Sequence, residues 1–339
     1  MSGEVISLGF LLLALGAYTL FGGADFGGGF LEASLWRHPR LQKRLQATLA
    51  PIWEANHVWL IAVVVILFVA FPGVYASLST VLFVPLSLIL LGIIARGAFF
   101  TFRKYDPEPL ARLRLYSWLF RFGSMLTPAF FGFVLAALLT PFPHAQSHPE
   151  ASFFDLYIAP WATLLGLLCA IFVNFLFAYL AAVFFHGELS NEGDRDLLRT
   201  RIWSLFAGTF LSGAMVLAWG VSSGEVSARE ALSPVQIAAQ GIALGCVFGV
   251  FSSLAPGRKW RLRLAVGLQT LAILCGWFST QYPTFLRFDD GTVLTAFNSA
   301  APPVTLFWLN LGLAVVLSIV IPLMAFLYRV FAASQEERA

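Results

Sequence analysis

The sequence predicts an all-α, polytopic membrane protein with about nine transmembrane helices. Hydrophobic residues make up 59% of the 339 residues and charged residues only 12%, and the mean hydropathy is +0.81. A soluble protein of this length needs far more charge to cover its surface. The apolar runs are long and continuous, which favours helices over the roughly ten-residue alternating strands of a membrane barrel. We expect a single integral membrane domain over 1–339, with two four-helix bundles plus one peripheral helix.

Nine apolar segments are each long enough to cross a hydrocarbon core of about 30 Å, since a helix rises about 1.5 Å per residue. The expected spans are 5–31, 51–71, 76–101, 117–140, 156–185, 202–221, 234–254, 262–281 and 303–331.

The basic residues predict the orientation of these spans. Of the 21 Lys and Arg residues, 17 lie in the connections that follow odd-numbered spans or at the C-terminal end. The other connections contain only Arg229 and Arg287. This alternation is the positive-inside pattern of a bacterial inner-membrane protein. It places the N-terminus outside and the C-terminus in the cytoplasm.

Two carboxylates are expected near the cytoplasmic ends of the first two spans. Asp25 lies late in span one, and Glu54 lies early in span two, where Asn56 and His57 follow it. Ionisable groups within a bilayer are unfavourable by about 2.5–3.5 kcal/mol each on insertion scales, which makes them functional candidates. We interpret these four residues as a proton relay from the cytoplasm. Alternatively, Glu54 caps the start of its helix, where the dipole favours an anion, and Asp25 is a solvated helix end.

Glycines surround Asp25 in the segment Gly22–Gly29. Gly23 and Gly27 have the four-residue spacing of small residues that allows two membrane helices to approach closely. The same run is also compatible with a loosened or kinked helix.

Arg96 and Arg103 are seven residues apart at the inner end of span three and share one helix face. Either their side chains extend to the lipid headgroups, or they pair with a carboxylate or a partner subunit. The chain has a single Glu-x-x-His motif, Glu54 to His57, and few buried acids, whereas a di-iron bundle needs two such motifs and further carboxylates. We therefore expect no metal site and no cofactor bound directly by this chain. Nucleic acid is not an expected partner.

At these residues the chain resembles subunit II of the cytochrome bd-type quinol oxidases. The similarity runs from the first span to the C-terminus and is most specific in four segments. They are Asp25-Phe26-Gly27-Gly28-Gly29, the segment from Pro51 to Trp59, Ala70-Phe71-Pro72 followed by Tyr75, and the segment from Arg96 to Arg103.

The resemblance implies a non-haem subunit of a quinol:oxygen oxidoreductase. Its partner would be subunit I, which carries haems b and d and the quinol site in this family. Subunit II contributes half of a pseudo-symmetric heterodimer and the acids of a cytoplasmic proton path, and Asp25 and Glu54 match those positions. The resemblance places Trp59 near a route for oxygen. Trp53 and Trp59 would line that route or lie at an interface with the partner subunit. It also allows a small accessory membrane subunit, bound lipids and quinone.

Three positions depart from the family pattern and suggest a divergent member. Gly22 stands where the family commonly has Asp, Glu54 where it often has Asp, and Ala55 where it often has Gly. The alternative function is a standalone proton-coupled membrane transporter, in which the buried carboxylates would bind the coupling ion.

Overall fold

The computed structural model of the chain describes residues 2–49, 53–105 and 110–336. Side chains are described in these ranges except at 49, 53–55, 104–105, 110–113, 228, 230, 325 and 327–336. The helices are α1 (Gly3–Ser34), α2 (Pro39–Leu49), α3 (Trp53–Ala70), α4 (Pro72–Val81), α5 (Phe83–Tyr105), α6 (Leu110–Ala137), α7 (Phe153–Tyr157), α8 (Leu164–His186), α9 (Glu192–Ser222), α10 (Ala228–Ala231), α11 (Pro234–Ser252), α12 (Lys259–Gln281) and α13 (Pro303–Glu336). One short hairpin, β1 (Thr284–Arg287) and β2 (Val293–Thr295), precedes α13.

The predicted fold class is confirmed. Within the described residues, eight helices are long and apolar enough to cross a membrane, and α3 with α4 forms a ninth candidate. The chain is therefore a multi-pass membrane protein.

The connection between the second and third spans differs from the prediction. Helix α3 ends at Ala70, and α4 leaves it at an angle of 118°. Pro72 explains the break, because proline lacks an amide hydrogen and disfavours helical geometry in the residue before it. The expected span 76–101 was therefore wrong at its start, since residues 76–81 belong to α4 and the membrane helix α5 begins at Phe83.

The expected span 156–185 also begins later than predicted. Residues 153–157 form the separate short helix α7, and α8 starts at Leu164. The Thr163 hydroxyl accepts a hydrogen bond from the Gly166 amide at 3.0 Å. This N-cap satisfies one of the free amides of the first turn and fixes the start of the span.

The helix contacts form the two expected groups, and the groups meet where α8 packs against both α1 and α6. In the first group α1 packs against α3 and α6, and α6 packs against α5. In the second group α8 packs against α9 and α12, and α12 packs against α11. Helix α1 also contacts α8, α12 and α13. Helix α13 is peripheral. It contacts α1 and α3, and most of its apolar side chains that the structure describes are exposed.

The connection between α12 and α13 contains a hairpin, which is not among the expected elements, with its turn at Asp289-Asp290-Gly291. Strands β1 and β2 pair antiparallel, and Gly291 adopts a positive φ of 87° in the turn. The connection between α6 and α7 joins this hairpin through Phe142, whose amide donates to the Arg287 carbonyl at 2.8 Å. Two connections that the distribution of basic residues predicts to be on the same side of the membrane are thereby held together.

Candidate functional site

Close packing of α1 against its neighbours carries Asp25 into the interior. A Cβ added at Gly27 would overlap the Phe177 carbonyl group of α8, and one at Gly29 would overlap the Ser124 side chain of α6. The α1 helix is continuous from Gly3 to Ser34, so the glycines serve close approach and introduce no break. Asp25 has 0% exposure as a result.

Asp25 forms a buried ion pair with Arg96 of α5. Arg96 Nη2 donates to Asp25 Oδ1 at 2.5 Å and to the Asp25 carbonyl oxygen at 3.2 Å. The arginine is 2% exposed, and its guanidinium lies 5.1 Å from the ring centroids of both Phe26 and Phe120. Aromatic faces attract a cation in such positions. Arg96 therefore pairs with a carboxylate and does not extend to the headgroups.

A second buried ion pair involves Glu32, which sequence reasoning missed. Arg103 Nη1 donates to both Glu32 carboxylate oxygens, at 2.9 and 3.0 Å, and Arg121 Nε donates to Oε1 at 3.0 Å. Glu32 is 1% exposed. One signal was present in the sequence: Glu32 follows Asp25 by seven residues, as Arg103 follows Arg96. Two acids and two bases at equal spacing predict two stacked pairs on neighbouring helices.

Helix α3 brings two more of the predicted residues to Asp25. The side chains of Asn56 and His57 both lie close enough to act on the Asp25 carboxylate. Asn56 is buried, yet its amide makes no hydrogen bond of good geometry with another described residue, and neither does Asp25 Oδ2. Trp59, one turn further along α3, is also buried.

Two predicted residues lie outside the described side chains. Glu54 and Trp53 are in the first turn of α3, but the positions of their side chains are not described. The structure thus brings together Asp25, Asn56 and His57 from the predicted proton path, and adds Arg96 to them.

The site combines fixed charges with polar atoms that retain hydrogen-bonding capacity. Asp25 holds Arg96 through one oxygen and keeps the other available, so the carboxylate can accept a hydrogen bond from water or a neighbouring group. Over the described residues, no three His, Cys, Asp or Glu side chains are placed to hold a metal ion. The chemistry that this arrangement supports is proton transfer and charge compensation.

A separate polar cluster joins the hairpin to the loop before α7. The His148 imidazole lies 2.6 Å from Asp289 Oδ2, and the His144 amide donates to Asp289 Oδ1 at 3.0 Å. These hydrogen bonds, led by the His144 amide, hold the pKa of the Asp289 carboxyl below its ordinary value. The pKa of Asp290 is lowered by hydrogen bonds from Thr292. Both acids therefore remain charged at neutral pH.

The overall architecture matches a solved structure. The structure of bd oxidase from Geobacillus thermodenitrificans superposes with a TM-score of 0.74 and covers 98% of this chain and 99% of that chain. The sequence identity is 21%, so this similarity establishes the fold alone.

Sequence relatives cover shorter regions. The cytochrome bd ubiquinol oxidase subunit 2 of Bacillus subtilis is 36% identical over 119 residues, which is 35% of this chain and 33% of the relative. The cytochrome bd-I ubiquinol oxidase subunit 2 of Escherichia coli K12 is 29% identical over 154 residues, which is 44% of this chain and 40% of the relative. A putative cytochrome bd menaquinol oxidase subunit II of Bacillus subtilis is 39% identical over 98 residues, or 27% of each chain. The matched regions span less than half of each relative.

The family profile described as cytochrome bd terminal oxidase subunit II extends much further. It matches residues 4–331, which is nearly the whole chain. The match includes both buried ion pairs and the first turns of α3. The chain therefore belongs to the cytochrome bd terminal oxidase subunit II family.

Proposed function

We propose that this chain is the non-haem subunit II of a cytochrome bd-type quinol:oxygen oxidoreductase in a bacterial inner membrane. Its partner is subunit I, and haems b and d bound there would pass electrons from quinol to oxygen. This chain supports the partner as a scaffold and supplies protons from the cytoplasmic side for the reduction of oxygen to water. The basic connections favour an external N-terminus and a cytoplasmic C-terminus. Family membership favours this function over a standalone transporter.

The proton path runs through Glu54, Asp25, Asn56 and His57. The observation that carries this proposal is the burial of Asp25 beside Asn56 and His57, with one carboxylate oxygen that makes no hydrogen bond of good geometry with the described residues. A buried acid within hydrogen-bonding reach of polar groups can receive and release protons. Arg96 keeps a compensating positive charge beside Asp25 and limits the energetic penalty of its burial.

Glu54 is the entry group of this path, because it lies in the first turn of α3, next to the basic connection. Its alternative role is purely structural, as an anion that stabilises the start of the helix. A matched control for that role exists in Glu192, which is exposed and occupies the first turn of α9. Substitution by alanine removes a glutamate carboxylate from the first turn of a helix in both cases, so the two variants differ only in where that helix lies.

The test is oxygen consumption by the purified complex with quinol as the electron donor. We expect Glu54→Ala to lower turnover by about a hundredfold, the range of a lost proton-transfer group. Glu192→Ala should leave turnover unchanged. Near-normal turnover of Glu54→Ala at neutral pH would remove Glu54 from the mechanism. Equal losses in both variants would assign Glu54 to helix stability alone.

A further inference from the structure

The bundle of α1, α3, α5 and α6 buries several polar atoms that find no hydrogen-bond partner among the described residues. They belong to four helices, and the side chains of Tyr18 and Asn56 lie within electrostatic reach of Asp25. They are the hydroxyls of Tyr18 and Thr127, Asp25 Oδ2, the amide of Asn56, the indole N–H of Trp59 and Arg96 Nε. Buried polar atoms are almost always satisfied by protein groups or by ordered water. A group of them in one interior region predicts bound water there.

Tyr18 extends this polar region along α1. Tyr18, Gly22 and Asp25 are spaced by four and three residues and share one face of the helix. A Cβ added at Gly22 would lie 3.2–3.4 Å from three atoms of the Tyr18 ring. The ring therefore lies over Gly22 and points toward Asp25. The Tyr18 hydroxyl is within electrostatic reach of both Asp25 and Arg96.

Thr127 of α6 occupies the level between Arg96 and the Tyr18 ring. A Cβ added at Gly92, one turn before Arg96 on α5, would overlap Thr127 Oγ1. One turn beyond Thr127, Phe131 contacts the Tyr18 ring edge to face, with the ring centroids 5.7 Å apart. Polar atoms are thus present at each level from the Asp25–Arg96 pair to Tyr18.

We propose that Tyr18, Thr127, Asn56 and Asp25 hold a chain of bound water, and that the Tyr18 hydroxyl positions this water. The chain continues the proton path beyond Asp25 toward Tyr18, whose backbone lies about 10 Å further along α1 and whose ring extends back over Gly22. A tyrosine hydroxyl can accept a proton from one water and donate its own to the next, so no net charge remains on it. This inference rests on the proposed function, because it extends toward Tyr18 a proton path that enters at Glu54.

The first test compares two tyrosine-to-phenylalanine variants of the intact complex. Tyr18→Phe removes one oxygen atom and keeps the ring on Gly22. Tyr179→Phe is the matched control, since Tyr179 is buried in α8 and its hydroxyl bonds Gln269 at 3.1 Å, away from the proposed path. We expect Tyr18→Phe to lower oxygen consumption by about three- to tenfold, because water can replace part of the lost relay. As the pH is raised, the decline in activity should begin at a lower pH in Tyr18→Phe than in the parent complex, because proton supply becomes limiting sooner. Tyr179→Phe should change neither property.

The second readout detects the water itself in the resting complex. Infrared difference spectra in ordinary and ¹⁸O-labelled water should show bands of bound water that Tyr18→Phe removes and Tyr179→Phe retains. Unchanged water bands in Tyr18→Phe would overturn the proposal, whatever its turnover.

Asp25→Asn, measured beside these variants, separates this inference from the proposed function. If Asp25→Asn and Glu54→Ala slow turnover and Tyr18→Phe does not, the extension through Tyr18 is wrong and the entry path stands. If none of the three variants slows turnover, the proton path as a whole is wrong.

Discussion

Neutralising Glu32 should destabilise this protein far more than neutralising a surface charge. Glu32→Gln keeps the side-chain shape but leaves Arg103 and Arg121 facing an uncharged amide. Arg121 is 28% exposed and can turn toward the headgroups, whereas Arg103 is 10% exposed and remains inside. Removing one member of a buried pair destabilises by about 3–5 kcal/mol. Because one of the two arginines can relax, we expect a loss of about 3 kcal/mol.

The matched control is the exposed pair between Arg44 and Asp194, which are 55% and 36% exposed and 3.3 Å apart. Arg44→Gln also removes one unit of charge, but an exposed pair contributes only about 0–1 kcal/mol. The assay is the midpoint of heat-induced unfolding of the purified complex, followed by tryptophan fluorescence. A clear fall is expected for Glu32→Gln and almost none for Arg44→Gln. Equal midpoints for the two variants would refute the reasoning that burial makes the Glu32 network essential.

Two further predictions concern packing and pH. Gly27→Ala should destabilise the protein by about 1–3 kcal/mol, because the added carbon would overlap the Phe177 carbonyl. Gly9→Ala on the same helix should be neutral, because no atom lies within 4 Å of the added carbon. Equal midpoints of heat-induced unfolding for the two variants would contradict this prediction. The lowered pKa of Asp289 means that its hydrogen bonds stabilise the hairpin at pH values above the pKa of an unfolded Asp. This stabilisation is lost as the pH falls through the lower pKa of the folded state. The protection of the Phe142 amide, measured as its hydrogen-exchange rate relative to an unfolded chain at the same pH, should therefore fall below about pH 4. Asp289→Asn should remove that pH dependence, and protection that stays constant in acid in the parent protein would contradict the prediction.

Much of the first bundle could be predicted because its determinants are local. The spacing of Gly23 and Gly27 predicts close approach of α1 to another helix, and the structure places α8 there. The seven-residue separation of Arg96 and Arg103 puts both on one face of α5. Sequence alone left open whether these arginines reach the headgroups or pair with acids. That choice depends on how α1 and α5 are arranged around α6, which is a tertiary property.

The features that were missed depend on contacts between distant parts of the chain. Glu32 follows an apolar run and resembles a solvated helix end, until Arg103 and Arg121 are brought to it from two other helices. The second span was expected to end at residue 71, but residues 76–81 were placed in the third span because no charged residue separates them from the apolar run of α5. The hairpin gains a partner in Phe142, whose position more than a hundred residues away gives no local signal.

The equal seven-residue separation of the two ion pairs has a consequence for how α1 and α5 align during insertion. If α1 slid past α5 by two helical turns, Glu32 would meet Arg96, but Asp25 and Arg103 would each be left without a counter-charge in an apolar interior. Most other shifts would break both pairs and leave all four charges uncompensated, so only the native alignment satisfies both pairs. The two pairs together therefore select one alignment of α1 with α5 over the shifted ones.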